Sequence, residues 1–219
     1  MPELTPYMGI WCNVDAINTD KERIAIEKLI QSSLIEKLPK RDKFFVQLFP
    51  DISNWLNYDW KGFQKTTQYT YLIEDLSKLD NVYNDFKKNI KGDITKAKKS
   101  VKIITSLNFD IFFNTCSKTF ARIKMKNPYN KELMRKVYEA VQEKGCGKIM
   151  LAEDENGQTH AAALLVWDNK TTYYLAGGGD PLLRNSGATS LLIWEAIQWA
   201  ATVSSSFDFE GSMIPSVEK

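Results

Sequence analysis

The chain has little of what metal centres and disulfide frameworks require. Of its 219 residues, only Cys12, Cys116 and Cys146 are cysteines and only His160 is a histidine. The cysteines lie far apart and form no C-x-x-C pair, which argues against both a zinc site and a disulfide framework. The pattern instead predicts free thiols in a reducing compartment. We therefore expect a cytoplasmic protein without a metal.

Long apolar runs and an excess of one charge are missing as well. No stretch reaches the ~18 apolar residues of a membrane helix, and no basic segment followed by an apolar run opens the chain. Because 29 Lys+Arg stand against 27 Asp+Glu, the net charge of +2 predicts no binding of nucleic acid or membrane by the whole surface. The 43% hydrophobic content is enough for one large domain or two small ones.

The N-terminal third predicts few elements. Apolar residues at helical spacing predict an amphipathic helix over residues 21–38, capped by Thr19 or Asp20, and residues 44–49 form a β-prone run. A helix, a strand and a short helix are too little to close a domain. We therefore place a boundary near residues 62–67, between a partial first domain and a second domain.

The rest of the chain alternates between strand and helix patterns and predicts an α/β fold of the α+β type, with a mixed, mainly antiparallel sheet flanked by helices. Strands are predicted near residues 69–73, 101–104, 148–153, 160–167, 171–176 and 207–210. Helices are predicted over residues 76–86, 108–122, 130–144 and 186–202, with a glycine loop at residues 177–179.

The glycine loop and the helix after it form the first candidate site. Gly177 and Gly178 let a ligand approach the backbone closely, and Arg184, Ser186 and Gly187 lead into the helix. Free N–H groups at a helix start favour an anion or a developing oxyanion, as acyl transfer needs. Arg184-x-x-Gly187-x-Thr189 also resembles the pyrophosphate loop with which GNAT enzymes hold acyl-CoA. The alternative is a turn in which Ser186 only caps the helix.

A more specific resemblance covers about residues 66–219. The run from Tyr173 to Ala188, with Trp194-Glu195-Ala196-Ile197 and the segment from Phe207 to Met213, is similar to Fem-like peptidoglycan aminoacyltransferases of the GNAT superfamily. The resemblance implies a GNAT-like fold without a cofactor. It also implies transfer of an amino acid from aminoacyl-tRNA to an amine of a peptidoglycan precursor.

Because such proteins carry two tandem GNAT-like domains, the resemblance implies a chain shortened at both ends. Residues 1–65 would be part of a first domain, and residues 66–219 a second domain without its last strands. The sheet edge beside residues 207–210 would then be exposed, which predicts self-association.

Further substrate-binding candidates come with the resemblance. Arg122 and Tyr129 lie in segments that the family shares, and Arg122 is a candidate for binding a substrate anion. The basic segment with Lys87, Lys88 and Lys91 would attract tRNA or the diphosphate of a precursor. Its alternative interpretation is a solvated helix face.

Two carboxylates are the candidate catalytic groups. Asp208 and Glu210 are two residues apart, so a strand would place both on one face, where they would orient or deprotonate the attacking amine. The alternative is a pair that bridges neighbouring loops. A Ser-His-Asp site would have to use His160, but this residue begins a strand with no nucleophile nearby in sequence, so we expect a structural role for it.

Two other functions remain open from the sequence. The chain would be an N-acetyltransferase that uses acyl-CoA at the loop of residues 184–189, or a non-catalytic relative that keeps the fold without a complete site.

Overall fold

The computed structural model describes residues 4–10, 12–13, 19–40, 42–50, 52 and 54–211. It divides the chain into two units, Met1–Thr67 and Gln68–Lys219. Ser212 and Met213 of the family-like run lie outside the described residues. That the first unit is part of a GNAT-like domain stays a prediction.

The first unit is built on two helices, α1 (Asp20–Glu36) and α2 (Leu56–Trp60). The Thr19 hydroxyl caps α1 by accepting the N–H of Glu22, as its place before the helical pattern predicts. The buried Asn57 side chain donates to the Lys28 carbonyl and to Gln31 Oε1, and so joins the two helices. The strand predicted over residues 44–49 is wrong.

Residues 44–49 form only one isolated bridge, between Leu48 and Met8. A strand needs a neighbour with which to exchange backbone hydrogen bonds along its length, and among the described residues of this unit only Met8 pairs with this run. In the described residues no helix has the length and apolar content to cross a bilayer.

The second unit contains one sheet of six strands in the order β1-β6-β5-β4-β3-β2. The pair β5–β6 is parallel and every other neighbouring pair is antiparallel, which confirms the predicted mixed, mainly antiparallel sheet. The strands are β1 (Leu72–Ile73), β2 (Lys102–Ser106), β3 (Gly147–Glu153), β4 (Thr159–Trp167), β5 (Thr171–Gly179) and β6 (Ser206–Asp208).

Helices cover both faces of this sheet. The central helix α7 packs on β3 and β4, and α4 packs on α7. Helix α5 packs on β4 and β5, and α6 packs on β3. The helices are α3 (Leu79–Asp85), α4 (Lys88–Ala97), α5 (Phe109–Arg122), α6 (Lys131–Glu143) and α7 (Ala188–Ala200), with 3₁₀ turns at Leu76–Lys78 and Pro181–Ser186.

The largest core lies between the sheet and α7. Alternate residues of the strands, such as Met150, Ala161 and Phe207, are buried there against α7 side chains. The aromatic rings of Tyr83 and Phe86 lie 5.0 and 5.5 Å from that of Trp194. A helix with apolar residues on most of its surface is therefore enclosed by the sheet on one side and α4 on the other.

Two sequence expectations about the end of the fold are wrong, and the predicted helix over residues 186–202 is confirmed with a later start. The glycines at 177–179 continue β5 instead of opening a loop. The helix predicted from Ser186 begins at Ala188, because Gly187 adopts a left-handed conformation with φ 76° after the 3₁₀ turn. The edge of β6 is not exposed, since β1 pairs with it at Leu72 and Ile73. Self-association stays a prediction without that edge to support it.

Candidate functional site

The sheet opens between β5 and β6. The two strands pair only where Thr171, Thr172 and Tyr173 face Ser206–Asp208, whereas β5 runs on to Gly179. No described strand pairs with that edge of β5 beyond Tyr173. We call this gap, between residues 174–179 of β5 and residues 208–210, the splay.

Asp208 is fixed at the mouth of the splay. Its side chain is buried, with 3% of the residue exposed. Its Oδ1 accepts a hydrogen bond from the Thr70 hydroxyl at 2.5 Å and another from the Glu210 N–H at 2.7 Å. Glu210 lies beyond β6 with φ 62°, so the two carboxylates are adjacent through a turn instead of sharing the face of a strand.

The Glu210 carboxyl group is buried without a full set of partners. Its Oε1 is closed off from solvent and has no hydrogen-bond partner among the described residues. Burial first, and then the neighbouring Asp208 charge, raise the pKa of Glu210 to about 8. A carboxyl group that titrates near neutral pH is suited to accept and return a proton.

Two phenol groups are under the influence of these carboxylates. The pKa of Tyr129 is raised by burial and then by the charges of Cys116 and Glu210. Burial, followed by the charges of Asp168, Asp208 and Glu210, raises the pKa of Tyr173 to about 12. Both therefore stay neutral near pH 7, and a neutral phenol keeps its O–H group.

The basic candidates lie elsewhere on the second unit. Lys87 and Lys88 are exposed at the start of α4, which packs on α7. Phe207 faces α7, so the next residue, Asp208, faces the opposite side of the sheet. The basic segment is therefore not part of the carboxylate cluster.

Two further cationic candidates differ in their surroundings. Lys91 is engaged locally, with Nζ 2.7 Å from the Asn84 carbonyl oxygen and 5.7 Å from the centre of the Tyr83 ring. Arg122 is exposed in the last turn of α5. Two residues before Arg122, the ring of Phe120 contacts that of Tyr129 at 6.0 Å.

The two candidate glycines are required by packing inside the protein. Gly177 and Gly178 pair with Ala163 and Ala162 of β4. A Cβ atom at Gly178 would lie 2.6 Å from Thr119 Oγ1 and one at Gly177 would collide with the Tyr174 hydroxyl. Glycine thus lets α5 and the Tyr174 ring approach β5, and substrate binding by these residues stays a prediction.

Three of the backbone N–H groups near residues 177–188, where the sequence predicts oxyanion binding, already donate to acceptors within the protein. The Gly179 N–H donates to Thr119 Oγ1 at 2.9 Å, the Gly187 N–H to the Arg184 carbonyl at 3.4 Å, and the Ala188 N–H to Ser186 Oγ at 3.2 Å. The interpretation that these three N–H groups are free is therefore wrong. Nearby hydroxyl and carbonyl oxygens satisfy them, as is usual for buried backbone.

Sequence reasoning missed one arrangement of side chains. His160 Nδ1 lies 2.9 Å from Ser186 Oγ, and its Nε2 lies 3.3 Å from Asp154 Oδ2. Ser186 is 26 residues away along the chain, so no local sequence signal joins it to His160. Only the pairing of β4 with β5, which brings Ala161 opposite Gly179, and the 3₁₀ turn after β5 place them together.

Comparisons with known proteins agree on the fold. The chain is similar to the crystal structure of FemX, with a TM-score of 0.70 and 14% identity over 89% of this chain and 70% of that one. It is also similar to the C-terminal domain (DUF2156) of a putative lysylphosphatidylglycerol synthetase from Agrobacterium fabrum. In that case the TM-score is 0.53 with 10% identity over 74% of this chain, which spans about half of the other (52%).

At such low identity these structures show the shared fold alone, and none of the curated protein sequences matches this chain. The sequence match is more direct. Residues 84–211 match the family described as "Acetyltransferase (GNAT) domain", and this segment holds β2 to β6, α4 to α7 and the splay. The chain thus belongs to the GNAT acetyltransferase-domain family and is an acyltransferase.

Proposed function

We propose that this acyltransferase moves an aminoacyl group from aminoacyl-tRNA to an amine of a peptidoglycan precursor, with Glu210 as the general base. One observation carries the proposal. A carboxyl oxygen of Glu210 is buried at the splay without a partner among the described residues, and the pKa of the group is raised to about 8. The chemistry also suits the resemblance to Fem-like proteins and the FemX-like fold.

The reaction needs a group that moves one proton. An amine is an ammonium ion near pH 7, and it releases a first proton to solvent before its neutral nitrogen attacks the ester carbonyl. Glu210 in its carboxylate form takes a second proton from this nitrogen as the C–N bond forms and the ester C–O bond breaks. The resulting carboxylic acid returns the proton to the leaving hydroxyl, so the enzyme ends unchanged.

Neighbouring groups prepare Glu210 for this role. After burial, the charge of Asp208 raises the Glu210 pKa further. Asp208 Oδ1 also accepts the Glu210 N–H at 2.7 Å and so holds the Glu210 backbone in place. The neutral phenol of Tyr129 is assigned as a donor to the oxygen that becomes negative in the tetrahedral intermediate. Arg122 is assigned to an anionic group of the precursor.

The loop of residues 184–189 favours the aminoacyl donor over acyl-CoA. The N–H groups of Gly187 and Ala188 have acceptors within the protein. A Cβ atom at Gly187 would lie 2.5 Å from the Asp93 carbonyl oxygen of α4, so that side of the loop is filled. Fewer donors are left for a pyrophosphate. The exposed Lys87 and Lys88 are assigned to the phosphates of the tRNA.

The test compares Glu210→Gln with Glu139→Gln, a matched change at an exposed position of α6. Each protein receives tRNA charged with labelled amino acids and a nucleotide-linked peptidoglycan precursor. We expect Glu210→Gln to lower kcat by at least about 100-fold, the usual effect of losing a general base, and Glu139→Gln to leave it unchanged. Equal kcat values in both variants would remove Glu210 from the mechanism.

The pH profile and the donor are tested separately. The rate of the wild-type protein should rise up to about pH 8, where Glu210 becomes a carboxylate, and then level off. Titration calorimetry with acetyl-CoA tests the alternative donor. Micromolar binding of acetyl-CoA together with acetylation of an amine would contradict the tRNA-dependent reaction.

A further inference from the structure

A second group of reactive side chains lies away from the splay carboxylates. It consists of Ser186 at the end of the 3₁₀ turn, His160 at the start of β4 and Asp154 in the turn between β3 and β4. His160 is 9% exposed and the Asp154 side chain 15%. Ser186 is half-buried. Low solvent access strengthens the hydrogen bonds of this group.

The contacts determine the hydrogen positions when the imidazole is neutral. Ser186 Oγ accepts the Ala188 N–H, so its own hydrogen is free to be donated to His160 Nδ1. Nε2 then carries the ring hydrogen and donates it to Asp154 Oδ2. In the other tautomer Nε2 would place a lone pair against a carboxylate, which is unfavourable. The serine hydroxyl thus donates to a base whose second nitrogen is held by a carboxylate.

Asp154 is held in its ionised form by the turn. Its Oδ1 accepts the N–H groups of Asn156 and Gln158, each at 2.9 Å. Hydrogen bonds from Gln158 first, and then from His160 and Asn156, keep the pKa of Asp154 low. A second carboxylate, Asp180, also lies within the electrostatic influence of His160.

Donors for a developing oxyanion are present beside the serine. The N–H groups of Thr189 and Ser190 belong to the first turn of α7 and have no acceptor among the described residues. They lie three and four residues after Ser186 along the chain. An acyl carbonyl attacked by Ser186 Oγ would therefore meet a helix N-terminus that favours negative charge.

We propose that Ser186, His160 and Asp154 form a second acyl-transfer centre, in which Ser186 takes up the acyl group of an activated ester. Ser186 Oγ attacks the carbonyl carbon while its proton passes to His160 Nδ1, and Asp154 holds the Nε2–H. The ester C–O bond breaks, the leaving alcohol takes the proton from the imidazolium, and an acyl-serine remains. Water attacks this ester in the same way and releases the acid.

The test uses p-nitrophenyl acetate on the full chain. We expect an initial burst of about one equivalent of nitrophenolate per chain, as an acyl-enzyme produces. The intact mass should increase by one acetyl group, located on Ser186 by peptide mapping. Ser186→Asn keeps an acceptor for the Ala188 N–H but has no nucleophile, so it should fold normally and give neither the burst nor the adduct.

A matched pair of aspartates separates catalysis from turn structure. Asp168 Oδ1 accepts the N–H groups of Lys170 and Thr171, just as Asp154 stabilises its own turn, but Asp168 has no contact with His160. Asp154→Asn would place an amide N–H against Nε2 and favour the tautomer that cannot accept the serine proton. We expect it to slow the burst at least about tenfold, and Asp168→Asn to have no effect.

Two results would overturn this proposal. One is an acetyl adduct that persists in Ser186→Asn or maps to lysines, and the other is an equal burst in the two aspartate variants. Neither result bears on Glu210, whose role is tested separately by the kcat of Glu210→Gln in the aminoacyl-tRNA reaction. The two centres are thereby distinguishable.

Discussion

Burial of the Glu210 carboxylate opposes folding while it prepares the group for proton transfer. The folded-state pKa of about 8 lies above the ordinary value of 4.5, so the protonated form is favoured in the folded state. Burial of this carboxyl group therefore costs no stability below about pH 4.5, where it is protonated in both states. The free energy of unfolding then falls as the pH rises from there through 8. Each unit of pKa shift corresponds to about 1.4 kcal/mol.

Replacing Glu210 by glutamine removes this titration. We expect Glu210→Gln to raise the free energy of unfolding at pH 9 by on the order of 2 kcal/mol relative to the wild type, with little change at pH 5. Urea unfolding at the two pH values measures the difference, and Glu139→Gln provides the exposed control. A variant that differs equally from the wild type at both pH values would show that the carboxyl is not buried in its charged form.

Replacing two glycines of the second unit by alanine should have opposite effects on the free energy of unfolding. Gly92 lies inside α4 with no heavy atom within 4 Å of an added Cβ, whereas at Gly178 the Cβ would lie 2.8 Å from Cys116 Cα. Gly92→Ala should therefore raise the free energy of unfolding by up to about 1 kcal/mol. Gly178→Ala should lower it by about 1–3 kcal/mol, because the backbone of α5 must move. Thermal unfolding of both variants tests the pair.

At the scale of elements, α5 and β5 are joined by one hydroxyl group. Thr119 Oγ1 accepts the Gly179 N–H at 2.9 Å and donates to the Gly179 carbonyl oxygen at 3.1 Å. A side chain thus takes the place of a neighbouring strand at the end of β5. Removing it leaves two polar backbone groups of a partly buried strand without their partner.

We expect Thr119→Val to lower the free energy of unfolding by about 1–3 kcal/mol and to speed hydrogen exchange at the Gly179 amide. Thr95→Val is the control, since the Thr95 hydroxyl on exposed α4 surface contacts only the Lys91 carbonyl of its own helix. Unchanged exchange at Gly179 would mean that the amide has another acceptor.

Sequence periodicity predicts elements well where local signals agree. Asn108 and Asn130 stand before apolar residues at helical spacing, and both cap their helices by accepting N–H groups of Ile111 and Leu133. The glycines of β5 are an exception, because glycine in a sequence indicates a loop. Only the close approach of α5 shows why glycine is needed inside this strand.

In the candidate site, too, the features set by neighbouring residues can be predicted from the sequence and those set by the packing of distant segments cannot. That Asp208 and Glu210 are neighbours is evident from the sequence, but the left-handed conformation of Glu210 is not, since it depends on where β6 ends. The contact between His160 and Ser186 could not be predicted either. It requires the register of β4 against β5.

At the scale of the whole molecule, the apolar core belongs to the second unit. Every residue of the largest buried cluster, from Leu76 to Phe207, lies after Thr67. Among the described residues of the first unit, Ile35 is the one buried hydrophobic residue, accompanied by the polar Gln31 and Asn57. A segment of this size whose described residues bury so little apolar surface does not offset the conformational entropy of its chain.

We therefore expect residues 68–219, expressed alone, to unfold in a single cooperative transition followed by circular dichroism. Residues 1–67 alone should show no cooperative transition, because burial of apolar side chains is what makes unfolding cooperative in a small domain. Proteolysis of the full chain gives an independent measurement, with the fragment that contains β1 to β6 expected to resist longest. A cooperative transition in residues 1–67 would show that the first unit draws its stability from something other than the burial of apolar side chains.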